Sequence, residues 1–349
     1  NTRIERHITV PIPPKELGVK EGDWVEAEIL EFPSPPNDLA GKVSSRLGDD
    51  DTRGIDVLLV LRDLGIIEEF PEAVEAEVEN MKFQWKKDLK GRKDYRDLPT
   101  ITIDPETAKD YDDGLSVEKL PRGAGWRLYV HIADVSHFLK PGTLLEEEAR
   151  DRATSVYPVD RVVPMLPQKL SNFLCSLVPY EDRLTMTAVM EISKSGKLKK
   201  SEVHSSVIKS DYRMTYHQAQ AVFDEESGAA DLFPELVPTL MELHEVARVL
   251  RKARFARGAL DLDIPEVKII FDENGASSDI KFYERFEAHQ LVEECMLIAN
   301  EAVAQYLTKR EAPLLYRVHE QADQERLEKI VPMLAAFNIT LRHTNGEIT

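Results

Sequence analysis

The sequence predicts an α+β protein: a partial OB-type β-domain, a helical connector, then a mixed sheet with flanking helices. Three observations lead there. Residues 1–48 alternate apolar and polar in short runs separated by turn residues, the pattern of strands. Residues 49–95 change to helical spacing. Residues 96–349 interleave β-branched runs with long amphipathic stretches, which is how a sheet covered by helices reads.

In the first part, His7–Ile12 alternates, Trp24–Glu31 alternates again after a Gly22-Asp23 turn, and a proline-rich hinge, Pro33–Pro36, precedes Ala40–Ser44. Three short strands without a complementary set are too few to close a barrel. In the connector, Asp49-Asp50-Asp51 reads as a solvated acidic turn, and Ile55–Leu64 and Pro71–Met81 as helices, with Pro71 at a first helical position. The one basic run follows: Lys86, Lys87, Lys90, Arg92, Lys93 and Arg96, with Trp85 and Tyr95 interleaved. It reads either as a solvated helix face or as a surface that meets phosphates.

The third part opens with Ile101-Thr-Ile-Asp-Pro-Glu-Thr-Ala-Lys-Asp-Tyr-Asp-Asp-Gly-Leu115, the stretch around which the chain is organised. Ile101–Ile103 is a strand that runs into Asp104; Asp110, Asp112 and Asp113 follow a proline turn, Gly114 closes the cluster and Leu115–Val117 resumes a strand. Carboxylates packed this tightly repel one another, and a fold tolerates them best around a cation. Hard divalent ions take oxygen ligands, and Mg²⁺ typically uses one or two carboxylates plus substrate phosphates. A solvated surface turn is the plain alternative. An EF-hand loop is excluded by frame: with Gly114 at the glycine position, Lys109 and Tyr111 occupy ligand positions and Leu120 the place of the required Glu.

Trp126–Ala133 is a further strand. His131 and His137 are read as structural, since an oxygen-rich site does not need them. Leu144–Arg152 is a short helix, and Thr154–Pro167 a long irregular segment in which Tyr157 stands out as a loop aromatic suited to binding. Leu184–Ser193 and Lys199–Ser210 pair around Ser195-Gly196. Thr215–Asp224 and Phe233–Arg257 are helices, the second ended by Gly258. Val267–Phe271 and Ile280–Tyr283 flank an Asn274-Gly275 turn, and Ala288–Leu307 and Gln324–Phe337 are amphipathic helices.

Composition narrows the function without choosing it. The chain of 349 residues has room for two or three domains. Its net charge of −18 argues against a nonspecific nucleic-acid binder but leaves room for a local basic channel. The longest apolar run, Val57–Leu61, is far short of a membrane span of roughly 20 residues. Two distant cysteines, Cys175 and Cys295, fit a reduced, cytoplasmic setting and read as buried hydrophobes.

With these residues in hand, the chain resembles the ribonuclease II/R (RNB) family, in particular its bacterial RNase R-like members. The resemblance rests on Asp104 through Asp113, His131-Ile-Ala-Asp-Val-Ser-His137 and Thr154-Ser-Val-Tyr157 through Pro164-Met-Leu-Pro167. It continues through Leu170–Leu177, Gly258-Ala-Leu260 and Leu291–Asn300, in the family's order. It implies a cold-shock-like piece over 1–48, a connector over 49–95 and an RNB-type mixed α/β catalytic domain over 96–349. It implies a processive 3′→5′ exoribonuclease that degrades single-stranded RNA to nucleoside 5′-monophosphates with Mg²⁺, monomeric when full length. Asp104, Asp110, Asp112 and Asp113 carry over as metal ligands or orienters of metal-bound water. Tyr157 carries over as the residue stacking on the terminal base, and Tyr216 and Glu293 as neighbours of the terminal ribose.

Leu262 departs from the family, standing where an aromatic usually completes the base sandwich. A Thr-Ser-Pro-Ile-Arg-Arg-Tyr segment, a first cold-shock domain and a C-terminal S1 domain, all expected of the family, do not occur in this sequence. The chain is therefore expected to correspond to part of a cold-shock domain plus roughly the N-terminal two-thirds of the catalytic domain, and to be a poor nuclease alone. The alternatives are an RNA-binding or scaffold member without catalysis, and an acidic structural module.

Overall fold

A computed structural model describes residues 7–11, 15–32, 38–261, 264–273, 276–318, 323–341, 343–344 and 347–348. They fall into two compact units, 1–302 and 303–349.

The first unit begins with a three-stranded sheet. β1 (Ile8–Thr9) runs parallel to β3 (Leu39–Gly48), and β2 (Trp24–Glu31) pairs with β3 antiparallel. The Pro33–Pro36 hinge lies outside the described residues, as does Ile12. The acidic turn is more than solvated, because Asp50 accepts a 2.7 Å bond from the Trp24 indole and Asp49 a 2.7 Å bond from the Thr52 hydroxyl. The connector holds α1 (Ile55–Asp63), α2 (Glu72–Glu79) and the single turn α3 (Trp85–Asp88). Pro71 is the cap before α2 rather than its first residue, since its ψ of 139° is not helical.

A seven-stranded mixed sheet forms the body of the unit. Its strands are β4 (Lys93–Asp94), β5 (Ile101–Asp104), β6 (Asp113–Lys119), β7 (Gly125–Ala133), β8 (Asp182–Ser193), β9 (Leu198–Lys209) and β10 (Tyr212–Thr215). They lie in the order β10-β5-β6-β7-β8-β9-β4. The centre is an antiparallel meander, and the two outer pairs, β10 with β5 and β4 with β9, are parallel. Gly196, at φ +73, makes the β8–β9 turn that the Ser195-Gly196 pair predicts.

Around the sheet stand α4 (Leu144–Arg152), α5 (Tyr216–Phe223), α6 (Val237–Ala256) and α7 (Glu287–Thr308), and the hairpin β11 (Val267–Phe271) with β12 (Ser277–Phe282). The Asn274-Gly275 turn lies outside the described residues. α6 starts four residues later than its periodicity indicates, because Phe233 belongs to a tight turn ahead of Pro238. Val74 and Val78 of α2 pack with Leu145 of α4, Leu170, Leu177 and Ile208 in one buried cluster. Cys175 and Cys295 are both buried. The second unit contains α8 (Gln324–Ala336) and the short hairpin β13 (His343–Thr344) with β14 (Glu347–Ile348). No helix among the described residues is long and apolar enough to cross a membrane.

His131 is structural, as the sequence reading expects. It is fully buried and hydrogen-bonded through both ring nitrogens, to Thr187 Oγ1 at 2.7 Å and Ser116 Oγ at 3.1 Å. Burial pushes its pKa down to about 3. The unfolded chain therefore takes up a proton below about pH 6.5 that the folded chain refuses until about pH 3, and stability falls as pH drops through that window. At pH 5 the loss is about 2 kcal/mol. Asp104 and Asp113, whose pKa values are raised, work the other way over the same interval, so the test is a difference: denaturant unfolding at pH 7 and pH 5 should show the wild type losing about 2 kcal/mol relative to His131→Gln. Equal pH dependence in the two would place the acid sensitivity elsewhere.

Candidate active site

The acidic stretch leaves the sheet where two parallel strands end together. Tyr212–Thr215 of β10 lie in register with Ile101–Asp104 of β5, which sets Thr215 opposite Asp104. Thr215 then caps α5 in a reciprocal capping box with Gln218. The positive end of that helix thus begins one residue from the partner of Asp104, a favourable place for an anion. β5 pairs with β6 only at Ile101–Leu115, so the chain between Asp104 and Asp113 is free to bulge out as a loop.

The loop is tied down from one side by the segment around Ser176. Ser176 Oγ accepts from Tyr111 N at 3.0 Å and donates to Lys109 O at 3.3 Å, and Leu177 N donates to Tyr111 O at 2.8 Å. Ala133 N donates to Asp112 O at 2.9 Å. From the other side Arg213 of β10 clamps both ends: its Nη2 donates to Pro105 O, and its guanidinium lies 5.4 Å over the Tyr111 ring.

The carboxylates are held under electrostatic load. Asp104 is 8% exposed, and its Oδ2 is buried without a hydrogen-bond partner. Burial, with Asp113 and Asp112 nearby and Arg213 opposing, pushes its pKa up to about 7. Burial and then Asp112 push Asp113 up to about 6. Asp112 is raised as well, by the protein around it and by Asp110. Each group would be relieved by a positive charge among them. Among the described residues no three His, Cys, Asp or Glu side chains converge tightly enough to hold a metal alone. The donor set nevertheless fits Mg²⁺: all oxygen, with an unsatisfied buried carboxylate oxygen, and able to share the ion with substrate phosphates.

A cavity of about 430 Å³ opens beside the loop. Asp110 and Asp112 line it together with Tyr157, from the irregular segment, and Asn172, from a π-helical turn over Lys169–Leu174. Tyr157 is 68% exposed. A second hollow of about 250 Å³ holds Tyr216, which stacks on His289 at 3.8 Å; Thr107 lines both hollows. Asp113 and Asp104 raise the pKa of Tyr216 after burial does, which places its hydroxyl within their field. The structure thus brings Tyr157 to Asp110 and Asp112, and Tyr216 to Asp104 and Asp113.

Glu293 lies apart from both hollows. It is paired with Arg254 at 3.2 Å and Arg285 at 2.8 Å. Its neighbour Glu294, 2% exposed, accepts from Arg254 as well. Leu262 lies outside the described residues. Sequence reasoning missed Arg213, Ser176 and Asn172 as parts of the site, although Leu170–Leu177 carried a signal in its unbroken match to a family motif. The basic run also reads differently in the fold. Arg92 is spent on Asp134, and Arg96 on Asp94 and Asp182. Arg161 is likewise taken up by Asp160 and Glu68.

Fold and site together define an RNB domain carried behind a cold-shock domain. Family models of these two match residues 92–347 and 1–71, and the chain belongs to the RNB family. Among its relatives is Ribonuclease R of Thermotoga maritima, 45% identical over 334 residues, which cover 94% of this chain and 46% of that protein. Ribonuclease R of Escherichia coli is 38% identical over 98% of this chain and 42% of its own length. The chain therefore spans less than half the length of these two relatives. Among solved structures, Mycoplasma genitalium RNase R in complex with ribose methylated single-stranded RNA superposes with a TM-score of 0.89, at 28% identity, over 99% of this chain and 54% of that one. Yeast Ssd1, a pseudonuclease, shares the fold with a TM-score of 0.69 at 19% identity, over 97% of this chain and 43% of that one.

Proposed function

We propose that this chain carries the metal-binding and 3′-end-holding part of a Mg²⁺-dependent, processive 3′→5′ exoribonuclease. It acts on single-stranded RNA in the cytoplasm and releases nucleoside 5′-monophosphates. The observation that carries the reading is one cavity lined by Tyr157 together with Asp110 and Asp112, on the loop that follows Asp104 with its buried, unpaired Oδ2. The names and bound RNA of the relatives support it.

In this reading Asp104, Asp110, Asp112 and Asp113 would hold the ion. When bound, it lowers the pKa of the attacking water and meets the charge of the phosphate and the leaving 3′-oxygen. The chain's own residues do the rest. Asp112, fixed through its backbone to Ala133, presents a carboxylate into the cavity. Arg213 and Ser176 hold the loop in one shape, so its carboxylates need little rearrangement as charge develops. Tyr157 offers a ring face to the last base, which suits an enzyme that must accept any base because every base has a π-face. Tyr216 stands on the Asp104 side, where a terminal ribose hydroxyl would lie; such a contact tells RNA from DNA.

The test is release of mononucleotides from uniformly labelled single-stranded RNA on adding Mg²⁺, and its arrest by EDTA. RNA binding without release would favour the second reading, an RNA-binding member that has lost catalysis. The shared fold with a pseudonuclease keeps that reading in play. Tyr157→Ala is expected to weaken retention of the 3′ end by about 1–3 kcal/mol, the usual worth of one stacked base. Short RNAs should bind less tightly and end products should be longer. Unchanged product length would make Tyr157 a bystander of the cavity.

A further inference from the structure

A groove of about 990 Å³ lies on the far side of the π-helical turn from the carboxylates. The turn divides the two spaces: Ser171 and Asn172 face the acidic cavity, whereas Phe173 and Leu174 line the groove. Aromatic faces dominate it. Phe173 is 64% and Tyr180 68% exposed, and Trp85 stacks on Phe83 at 4.3 Å with its ring on the groove wall. Tyr180 holds φ +67 although it is not glycine. Such strain persists where the surroundings demand it, and it collects at binding sites. Here it keeps a large ring in solvent, with Tyr180 N donating to Ser210 O at 2.7 Å.

The charge around the groove has one free sign. Its acids are paired: Asp182 with Arg96 and Glu181 with Arg183. Interleaved in sequence with the lining residues Phe83, Trp85 and Leu89, Lys82, Lys86, Lys87 and Lys90 are exposed and form no ion pair among the described residues. In a chain of net charge −18 this is a local concentration of uncommitted positive charge. Stackable rings beside flexible ammonium groups are the chemistry that holds single-stranded nucleic acid without regard to sequence.

We infer that this groove is a second contact site for single-stranded RNA, holding nucleotides away from the terminus by stacking on Phe173, Tyr180 and Trp85 and by lysine contacts to phosphates. The inference rests on the RNA reading above. It explains why a strongly acidic chain keeps an unpaired lysine segment next to exposed rings, and gives longer RNAs a grip that short ones lack.

Binding of oligouridines of about 4 and about 16 nucleotides is measured in EDTA by anisotropy and by Trp85 fluorescence. The wild type should bind the longer RNA more tightly, with quenching that Trp85→Phe removes. The triple variant Lys86→Gln, Lys87→Gln, Lys90→Gln should lose about tenfold in affinity for the longer RNA and lower its salt slope by about 2, with the shorter RNA unaffected. Tyr180→Gly deletes the ring and relaxes the backbone, so it should lose affinity for the longer RNA without losing stability. Longer-RNA affinity and salt slope unchanged in both variants would overturn the groove while leaving the acidic site standing. A wild-type chain that binds neither RNA would overturn both.

Discussion

Replacing Asp112 with Asn should stop hydrolysis and leave RNA binding within a few-fold of wild type. The substitution keeps the shape of the side chain and the backbone bond from Ala133 to Asp112 O, so the loop stays in place. What it removes is one negative charge from the wall of the cavity that also holds Asp110 and Tyr157. If that carboxylate holds the ion or orients its water, the barrier rises by several kcal/mol, and each 1.4 kcal/mol is tenfold in rate. A loss of at least about 10³-fold in the single-turnover rate is therefore expected. Affinity should survive because stacking and phosphate contacts supply it. Divalent-ion titration by calorimetry offers a readout independent of turnover, with weaker binding expected in the variant. A single-turnover rate within a few-fold of wild type would remove Asp112 from the chemistry.

Arg92→Met should cost about 3–5 kcal/mol of stability, the usual result of leaving a buried charge without its partner. Arg92 donates to Asp134 at 2.5 Å, and both side chains are nearly closed to solvent, at 10% and 4% exposure. The same guanidinium reaches Thr185 O at 3.2 Å and Ser206 O at 3.3 Å, so it ties the connector to β8 and β9. Burial works against the charge on Asp134, but Ser136 and Arg92 outweigh it and hold its pKa low. Without Arg92 the carboxylate is stranded, and the variant should regain part of its stability as pH falls and Asp134 takes up a proton. Chemical denaturation at pH 7 and pH 5 measures both effects. A loss below about 1 kcal/mol at pH 7 would mean that water enters and solvates Asp134.

What could be read from the sequence divides by the range of the interaction. Leu144–Arg152 and the β8–β9 hairpin follow from local period and turn chemistry, and the structure reproduces the helix to the residue. The four aspartates were legible because they crowd into one loop. Arg213, Ser176 and Asn172 were not, because they lie far from that loop in sequence; Arg213 reaches it through the parallel pairing of β10 with β5, Ser176 through its bond to Tyr111, and Asn172 through the π-helical turn on the cavity wall. The basic run divides for the same reason. Its arginines find acids far along the chain, Asp134 just after β7 and Asp182 at the start of β8, and its lysines do not.

The parallel pairing of β5 with β10 also has a history within the growing chain. β5 meets β6 at a single residue pair, and its other neighbour is not made until some hundred residues later. At ribosomal speeds of about 5–20 residues per second, roughly 5–20 s pass in which Ile101–Asp104 is a bare edge carrying the future site. A bare edge invites pairing with other chains. Here it is only four residues long and runs straight into a patch of negative charge, both of which discourage such pairing. The acidity that the proposed chemistry calls for thus doubles as a guard for the nascent chain.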